Sequence, residues 1–238
     1  MQCTVTYVHH NCFLLKTSSR TWLFDYPEDK FLPPGAAALV RRAVAGDDLA
    51  VFVSHGHEDH LNGNLASVIG TAAEACLVLS DDIPELRPEA VPGGYETLVV
   101  EPDERYEFRS MRIETLMSND LGVAFLVQDG EFRFYFGGDL ACWIWEGASP
   151  REAEFTRRFF TEAMERVRDF GPQVAFCNVD RRLANLAGGV DACRIIAPPL
   201  FVPMHSFGVG SWPESLSAEC GSDLFLYRES GDALEYHF

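Results

Sequence analysis

The chain has 238 residues, 47% of them hydrophobic, with seven histidines, seven cysteines and a formal net charge of −17. That composition supports a sizeable core and excludes a disordered chain. The charge argues against a nucleic-acid backbone as the main ligand, since phosphate binding draws on an excess of Lys and Arg, and the pairs Arg41-Arg42 and Arg157-Arg158 read as solvated helix faces.

The first residues, MQCTVTYVHHNCFLL, lack the basic start and small-residue cleavage site of a leader, and no apolar run is long enough for a bilayer. A cytoplasmic chain with no membrane contact is therefore expected. CTVTYV, CFLLKT and TWLFDY are short and rich in β-branched or aromatic residues, and polar breaks at His9-His10-Asn11 and Ser18-Ser19-Arg20 separate them, which predicts three strands. Pro33-Pro34-Gly35 breaks the chain, and AAALVRRAVAG predicts a helix closed by Gly46. LAVFVS is a continuous apolar run of the buried-strand kind; HLNGNLASVIG then predicts a helix and CLVLS a strand. Further strands are predicted at TLVVE, YEFRS, MRIETLM, GVAFLVQ and EFRFYFG, the last two joined by a turn at Asp129-Gly130. From Pro150 to Phe170 the period becomes helical, with Phe155, Phe159, Ala163, Val167 and Phe170 assigned to one face. QVAFCNV, LFVPMH, DLFLYRE and ALEYHF complete the strands. The cysteines (Cys3, Cys12, Cys76, Cys142, Cys177, Cys193 and Cys220) are widely spaced with no C-x-x-C pair, so all seven are expected reduced and buried as small hydrophobes. Blocks of strands alternating with strand–helix segments predict two sheets packed face to face with helices outside, a four-layer αββα sandwich, as one domain over 1–238.

One segment stands apart. VFVSHGHEDH places His55, His57, Asp59 and His60 within six residues at the end of a buried-type strand. Histidine and carboxylate suit borderline divalent ions, zinc above all. A continuing strand would splay these side chains; a strand ending at Ser54, a loop at Gly56 and a helix starting near Asp59 would converge them. The carboxyl end of a strand is also where open α/β sheets bind ligands.

The spacing H-x-H-x-D-H resembles the signature of the metallo-β-lactamase-fold hydrolases, whose fold is the αββα sandwich. The resemblance runs from residue 55 to 205 and implies further ligands at strand ends: Asp139 in FRFYFGGDL and His205 in LFVPMH. The family's usual third motif is a histidine midway between, just before a glycine and a strand. Here that place is Ser118-Asn119-Asp120-Leu121-Gly122, and no histidine lies between His60 and His205. The segment is similar to a branch of the superfamily with Ser-Thr-Asp-Glu-Gly there, followed by Gly-Asp and tryptophans. Asp120 is the candidate oxygen ligand in the histidine's place and Asn119 a weaker one; as a plain turn residue, Asp120 needs no such role.

The family arrangement implies that His55 and His57, with Asp120, hold one divalent ion, that Asp59, His60 and His205 hold a second, and that Asp139 bridges them. Zinc is the expected metal, manganese and iron the alternatives, with a single ion if Asp120 is not a ligand. A metal-bound hydroxide would attack a carbonyl carbon or phosphorus, with Asp59 as the catalytic carboxylate that orients it and shuttles the proton. Substrate-facing candidates are His10 at the first hairpin turn, Trp143 (with Trp145) as an apolar wall, and Arg181 as an arginine for a carboxylate or phosphate. As turn, core and loop residues these three need no further role. The implied activity is metal-dependent hydrolysis of a small-molecule ester, lactone or phosphoester. A metal-binding regulatory or scaffold protein of the same fold is the alternative, favoured by the altered third motif. A di-iron redox version is a third reading, but its flavin domain has no room in this chain. A small molecule is the expected partner, nucleic acid is not, and the oligomeric state is left open.

Overall fold

The computed structural model describes residues 1–238. In chain order it contains β1 (Gln2–His9), β2 (Cys12–Lys16), β3 (Thr21–Phe24), α1 (Ala36–Val44), β4 (Asp48–Val53), α2 (Ala66–Ile69), β5 (Glu74–Ser80), α3 (Asp82–Leu86) and β6 (Glu96–Val100). There follow β7 (Arg105–Phe108), β8 (Met111–Met117), β9 (Val123–Asp129), β10 (Phe132–Phe136), α4 (Pro150–Phe170), β11 (Val174–Asn178), α5 (Gly189–Ile196), β12 (Leu200–Met204), α6 (Glu214–Glu219), β13 (Asp223–Leu224) and β14 (Ala233–His237). The chain divides into two compact units, Met1–Glu101 with Phe207–Gly210 and Tyr227–Phe238, and Pro102–Ser206 with Ser211–Leu226.

The first unit is built on a seven-stranded sheet of order β14-β1-β2-β3-β4-β5-β6. Its hairpin strands β1, β2 and β3 pair antiparallel, and β3, β4, β5 and β6 run parallel. Every residue of β4 from Leu49 to Val53 is buried, which is why that strand reads as an unbroken apolar run rather than an alternation. On α1, Ala36, Val40 and Val44 recur every four residues and join Val51, Val53 and Leu77 in one core.

The second unit carries a sheet of order β13-β12-β11-β10-β9-β8-β7, in which β10, β11, β12 and β13 are parallel and β7, β8, β9 and β10 antiparallel. Pro203 sits in β12, where β13 pairs only with Leu200 and Phe201, so beyond Phe201 that strand has an open edge that tolerates a missing N–H. Helix α4 opens with a capping box between Ser149 and Glu152, has Pro150 in its first turn, and closes on Gly171 at φ 67°.

Four expectations are corrected. The buried face of α4 runs through Ala153, Phe160, Ala163, Met164 and Val167, while Phe155 is 67% exposed. Phe155 lies two residues from Ala153, about 200° round the helix, and so falls on the opposite side. The helix expected over HLNGNLASVIG shrinks to the four residues of α2. Before it, the backbone N–H groups of His60 and Leu61 both bond to the His57 carbonyl at 3.0 and 2.9 Å, and the Asn62 side chain accepts from Asn64 N–H at 2.7 Å, a local competitor that stops the helix from starting. DLFLYRE is strand only at Asp223–Leu224. Cys193 and Cys220 form a disulfide, leaving five buried free cysteines rather than seven.

Helix α5 begins against β11 with no room for a side chain. A Cβ on Gly189 would lie 2.5 Å from Val179 Cγ2 and 2.7 Å from the Asn178 carbonyl oxygen. Gly189→Ala is expected to lower the unfolding free energy by about 1–3 kcal/mol, whereas Phe155→Ala, on an exposed face, should change it by less than about 0.5 kcal/mol. Urea denaturation of both variants checks the two figures.

Candidate metal centre

In the first unit the histidine cluster follows β4 directly, and its order comes from a residue that sequence reading passed over. Asp25, just after β3, is fully buried. Its Oδ1 accepts the Ser54 N–H at 2.8 Å, and its Oδ2 accepts the Ser54 hydroxyl at 2.7 Å and faces His60 Nδ1 at 2.7 Å. Burial pushes the Asp25 carboxyl up, and the contacts with His60 and Ser54 offset part of that rise. Nδ1 of His60 must be the N–H facing this acceptor, which leaves Nε2 with the lone pair. Because the Ser54 hydroxyl donates its proton to Asp25, it can only accept from His55 Nδ1, 3.0 Å away, and His55 Nε2 also carries its lone pair.

That Nε2 lies 3.0 Å from His57 Nδ1. Two imidazole nitrogens so placed share either a proton or a cation, and the spacing is close to the roughly 3.4 Å that two nitrogen ligands of one tetrahedral zinc ion would take. His10, buried at the first hairpin turn, places Nε2 3.6 Å from Asp59 Oδ2, and His60 Nε2 is 4.0 Å from the same oxygen. His10, Asp59 and His60 each offer a donor atom within 4.8 Å of the others. His10, expected to face a substrate, thus stands among the ligand-type residues, and its ring stacks on Phe207 at 4.1 Å. The loop is braced from outside: Asp82, its carboxyl raised by burial, accepts the Gly56 N–H at 2.7 Å, and Arg87 donates to the Leu61 carbonyl at 3.0 Å.

In the second unit Asp139 and His205 are buried, with Asp139 Oδ1 3.7 Å from His205 Nε2. His205 Nδ1 turns to Asp180 Oδ2 at 3.1 Å, a second carboxylate–histidine pair. Burial raises the Asp180 carboxyl, but the hydrogen bonds from His205 and Arg182 prevail and hold it well below the usual carboxylate range. The Asp139 loop is clamped by two asparagines. Asn178 Nδ2 donates to the carbonyls of Gly138 and Leu140 at 2.9 and 3.3 Å. Asn119 exchanges two hydrogen bonds with the Ala141 backbone at 2.7 and 3.1 Å, so its amide is committed as a brace. Asp120 is exposed on the turn closed by Ser118 N–H and the Gly122 carbonyl, with a carboxylate oxygen within 4.8 Å of one on Asp139. Trp143 donates its indole N–H to the Asp139 carbonyl at 2.8 Å. Arg181 bonds Ser211 through its backbone carbonyl (2.9 Å) and hydroxyl; the arginine beside Asp180 is Arg182.

Four of these residues hold left-handed backbone without being glycine: His10 at φ 53°, Asp25 at 40°, His205 at 64° and Phe207 at 48°. Each such residue costs on the order of 1 kcal/mol or more, and persists only where the surroundings over-determine it.

Residues 4–205, well over half of the chain, match the family described as the β-lactamase superfamily domain. Among solved structures, the chain is similar to Igni18, a metallo hydrolase from the hyperthermophilic archaeon Ignicoccus hospitalis, with 15% identity, a TM-score of 0.67 and 100% of both chains covered. It is also similar to the metallo-β-lactamase fold protein YhfI from Bacillus subtilis, with 12% identity, a TM-score of 0.64 and 99% of both chains covered. CmlA, a diiron β-hydroxylase from Streptomyces venezuelae, is 13% identical with a TM-score of 0.57 over 99% of this chain and 54% of its own. No curated protein matches in sequence. At these identities the structural likeness is one of fold. The two seven-stranded mixed sheets with their helices and the family match agree: this chain belongs to the β-lactamase superfamily and has the αββα fold of its metallo-enzymes.

Proposed function

We propose that the chain is a metal-dependent hydrolase acting on a small-molecule ester, lactone or phosphoester. The observation that carries this reading is the pair His55 and His57, with nitrogens 3.0 Å apart, one of them held as a lone-pair donor by the Ser54–Asp25 relay. A neutral-imidazole and carboxylate donor set fits a borderline divalent ion such as zinc, with manganese and iron as harder alternatives. By the family's sequence pattern, His55, His57 and Asp120 would hold one ion and Asp59, His60 and His205 a second, with Asp139 as a further ligand. Such an ion, when bound, supplies Lewis acidity and a water acidified towards neutral pH. Asp59, partly exposed and 3.6 Å from His10 Nε2, would be the carboxylate that holds a proton and passes it to a leaving group.

A second reading, a metal-binding protein of this fold without turnover, is favoured by the departure at Ser118–Gly122, where an exposed aspartate stands in place of a histidine.

Elemental analysis of protein purified without chelator should give two divalent ions per chain, falling to one in Asp120→Ala. One ion in both proteins would remove Asp120 from the ligand set, and none after loading with zinc, manganese or iron would end the reading. With a panel of esters, lactones and phosphoesters, Asp59→Ala should lose hydrolysis while keeping its fold by circular dichroism; undiminished turnover would free Asp59 of its proton-holding role. Asp25→Asn presents an N–H₂ where His60 needs an acceptor, and should weaken metal binding about 10- to 100-fold in chelator competition.

A further inference from the structure

Beside His205 lies a stack of side chains that the ligand set does not use. Trp143 and Trp145 have parallel rings, 6.1 Å between centroids and 8° between planes. Trp143 is anchored by its indole N–H on the Asp139 carbonyl, and its ring is 5.1 Å from that of His205. Trp145 is 49% exposed. Arg182 caps it, with the guanidinium carbon 5.4 Å from the ring centroid. The same guanidinium grips both oxygens of Asp180, at 3.0 Å through Nε and 2.6 Å through Nη2.

Three features give this stack a ligand chemistry. Leaving half of an indole in water is unfavourable for folding, yet this ring is held in a fixed orientation by a cation on Asp180 and by a parallel neighbour. Arg182's charge is countered by Asp180, so what the stack presents to solvent is the half-exposed Trp145 ring rather than a net positive site. The chain's charge of −17 further disfavours an anionic group. Through Trp143 the wall is tied to Asp139 and His205, so a ring resting on it would lie near those two candidate ligands.

We propose that Trp145, supported by Trp143 and Arg182, is a specificity-determining platform for an uncharged aromatic group of the substrate, so that aryl-bearing esters or lactones are the class turned over. The inference rests on the hydrolase reading for its kinetic form, but the platform itself can be tested without turnover.

Paired substrates that differ only in the ring, such as ethyl phenylacetate and ethyl cyclohexylacetate, separate stacking from apolar burial. The wild type is expected to favour the aryl member in kcat/KM by about 2- to 10-fold, the range of aromatic pair energies. Trp145→Ala should abolish that preference, bringing the aryl-to-cyclohexyl ratio of kcat/KM to about one, and Trp145→Phe should restore most of it. No preference in the wild type, or an equal fall for both members in Trp145→Ala, would overturn the platform. If neither ester is hydrolysed, the hydrolase reading is what fails for esters. The platform is then read by saturation-transfer NMR with naphthalene-1-carboxamide and cyclohexanecarboxamide. A ring-selective signal in the wild type that disappears in Trp145→Ala supports it, and a wild type that shows no such selectivity overturns it.

Discussion

A single carboxylate with no exposure to water, that of Asp25, decides the chemical state of two histidines. An ionised carboxylate in that position is tolerable only if its oxygens are filled with donors, because burial otherwise drives it to the neutral acid. Here the donors are the Ser54 backbone, the Ser54 hydroxyl and His60. The same bonds that stabilise the charge leave His60 and His55 with lone pairs on Nε2, the nitrogens turned away from Asp25 and Ser54. The tautomers are therefore a consequence of folding: once β3 and β4 pair in register and bring Asp25 alongside Ser54, the donors are set before any ion arrives.

The second unit repeats the device with different residues. Asp180, after β11, fixes His205, after β12, and is itself held by Arg182. In both units the members of each carboxylate–histidine pair follow strands that run parallel to one another: Asp25 and His60 come after β3 and β4, Asp180 and His205 after β11 and β12. The left-handed backbone at Asp25 and His205 sits at the turns after those strands, and that at His10 in the antiparallel β1–β2 hairpin. There the fold stores strain that a regular strand would relieve, and the buried hydrogen bonds compensate for it.

Much of this was legible in the chain because it was written in local patterns. The H-x-H-x-D-H spacing, the apolar run LAVFVS and the Gly-Asp after EFRFYF each declare themselves within ten residues. Asp25 and Asp180 did not, since the histidines they fix, His60 and His205, lie far along the chain and an aspartate after a strand looks like any turn residue. A signal did exist: TWLFD places an acid directly after an apolar strand, as FRFYFGGD does for Asp139. Arg182 was missed by one residue, because a dipeptide of arginines carries no information on which side chain points at Asp180 and which at Ser211. Phe155 was misplaced for a comparable reason: an apolar residue enters a helical pattern by its type, whereas burial depends on the angle at which the helix meets its sheet.

Asp120 is where the chain departs from its family, and the departure has a direction. An imidazole ligand is neutral and of borderline softness; a carboxylate is harder and brings a negative charge. In the proposed set a carboxylate there would leave zinc acceptable while making the donors harder than a histidine would. The turn around it does not depend on which ligand it presents, for Asn119 ties that turn to Ala141 by two hydrogen bonds and Ser118 closes it on Gly122. The scaffold of the third motif is thus independent of its donor. On the proposed reading, the oxygen that would do a histidine's work is exposed but held on a turn that Asn119 braces and Ser118 closes.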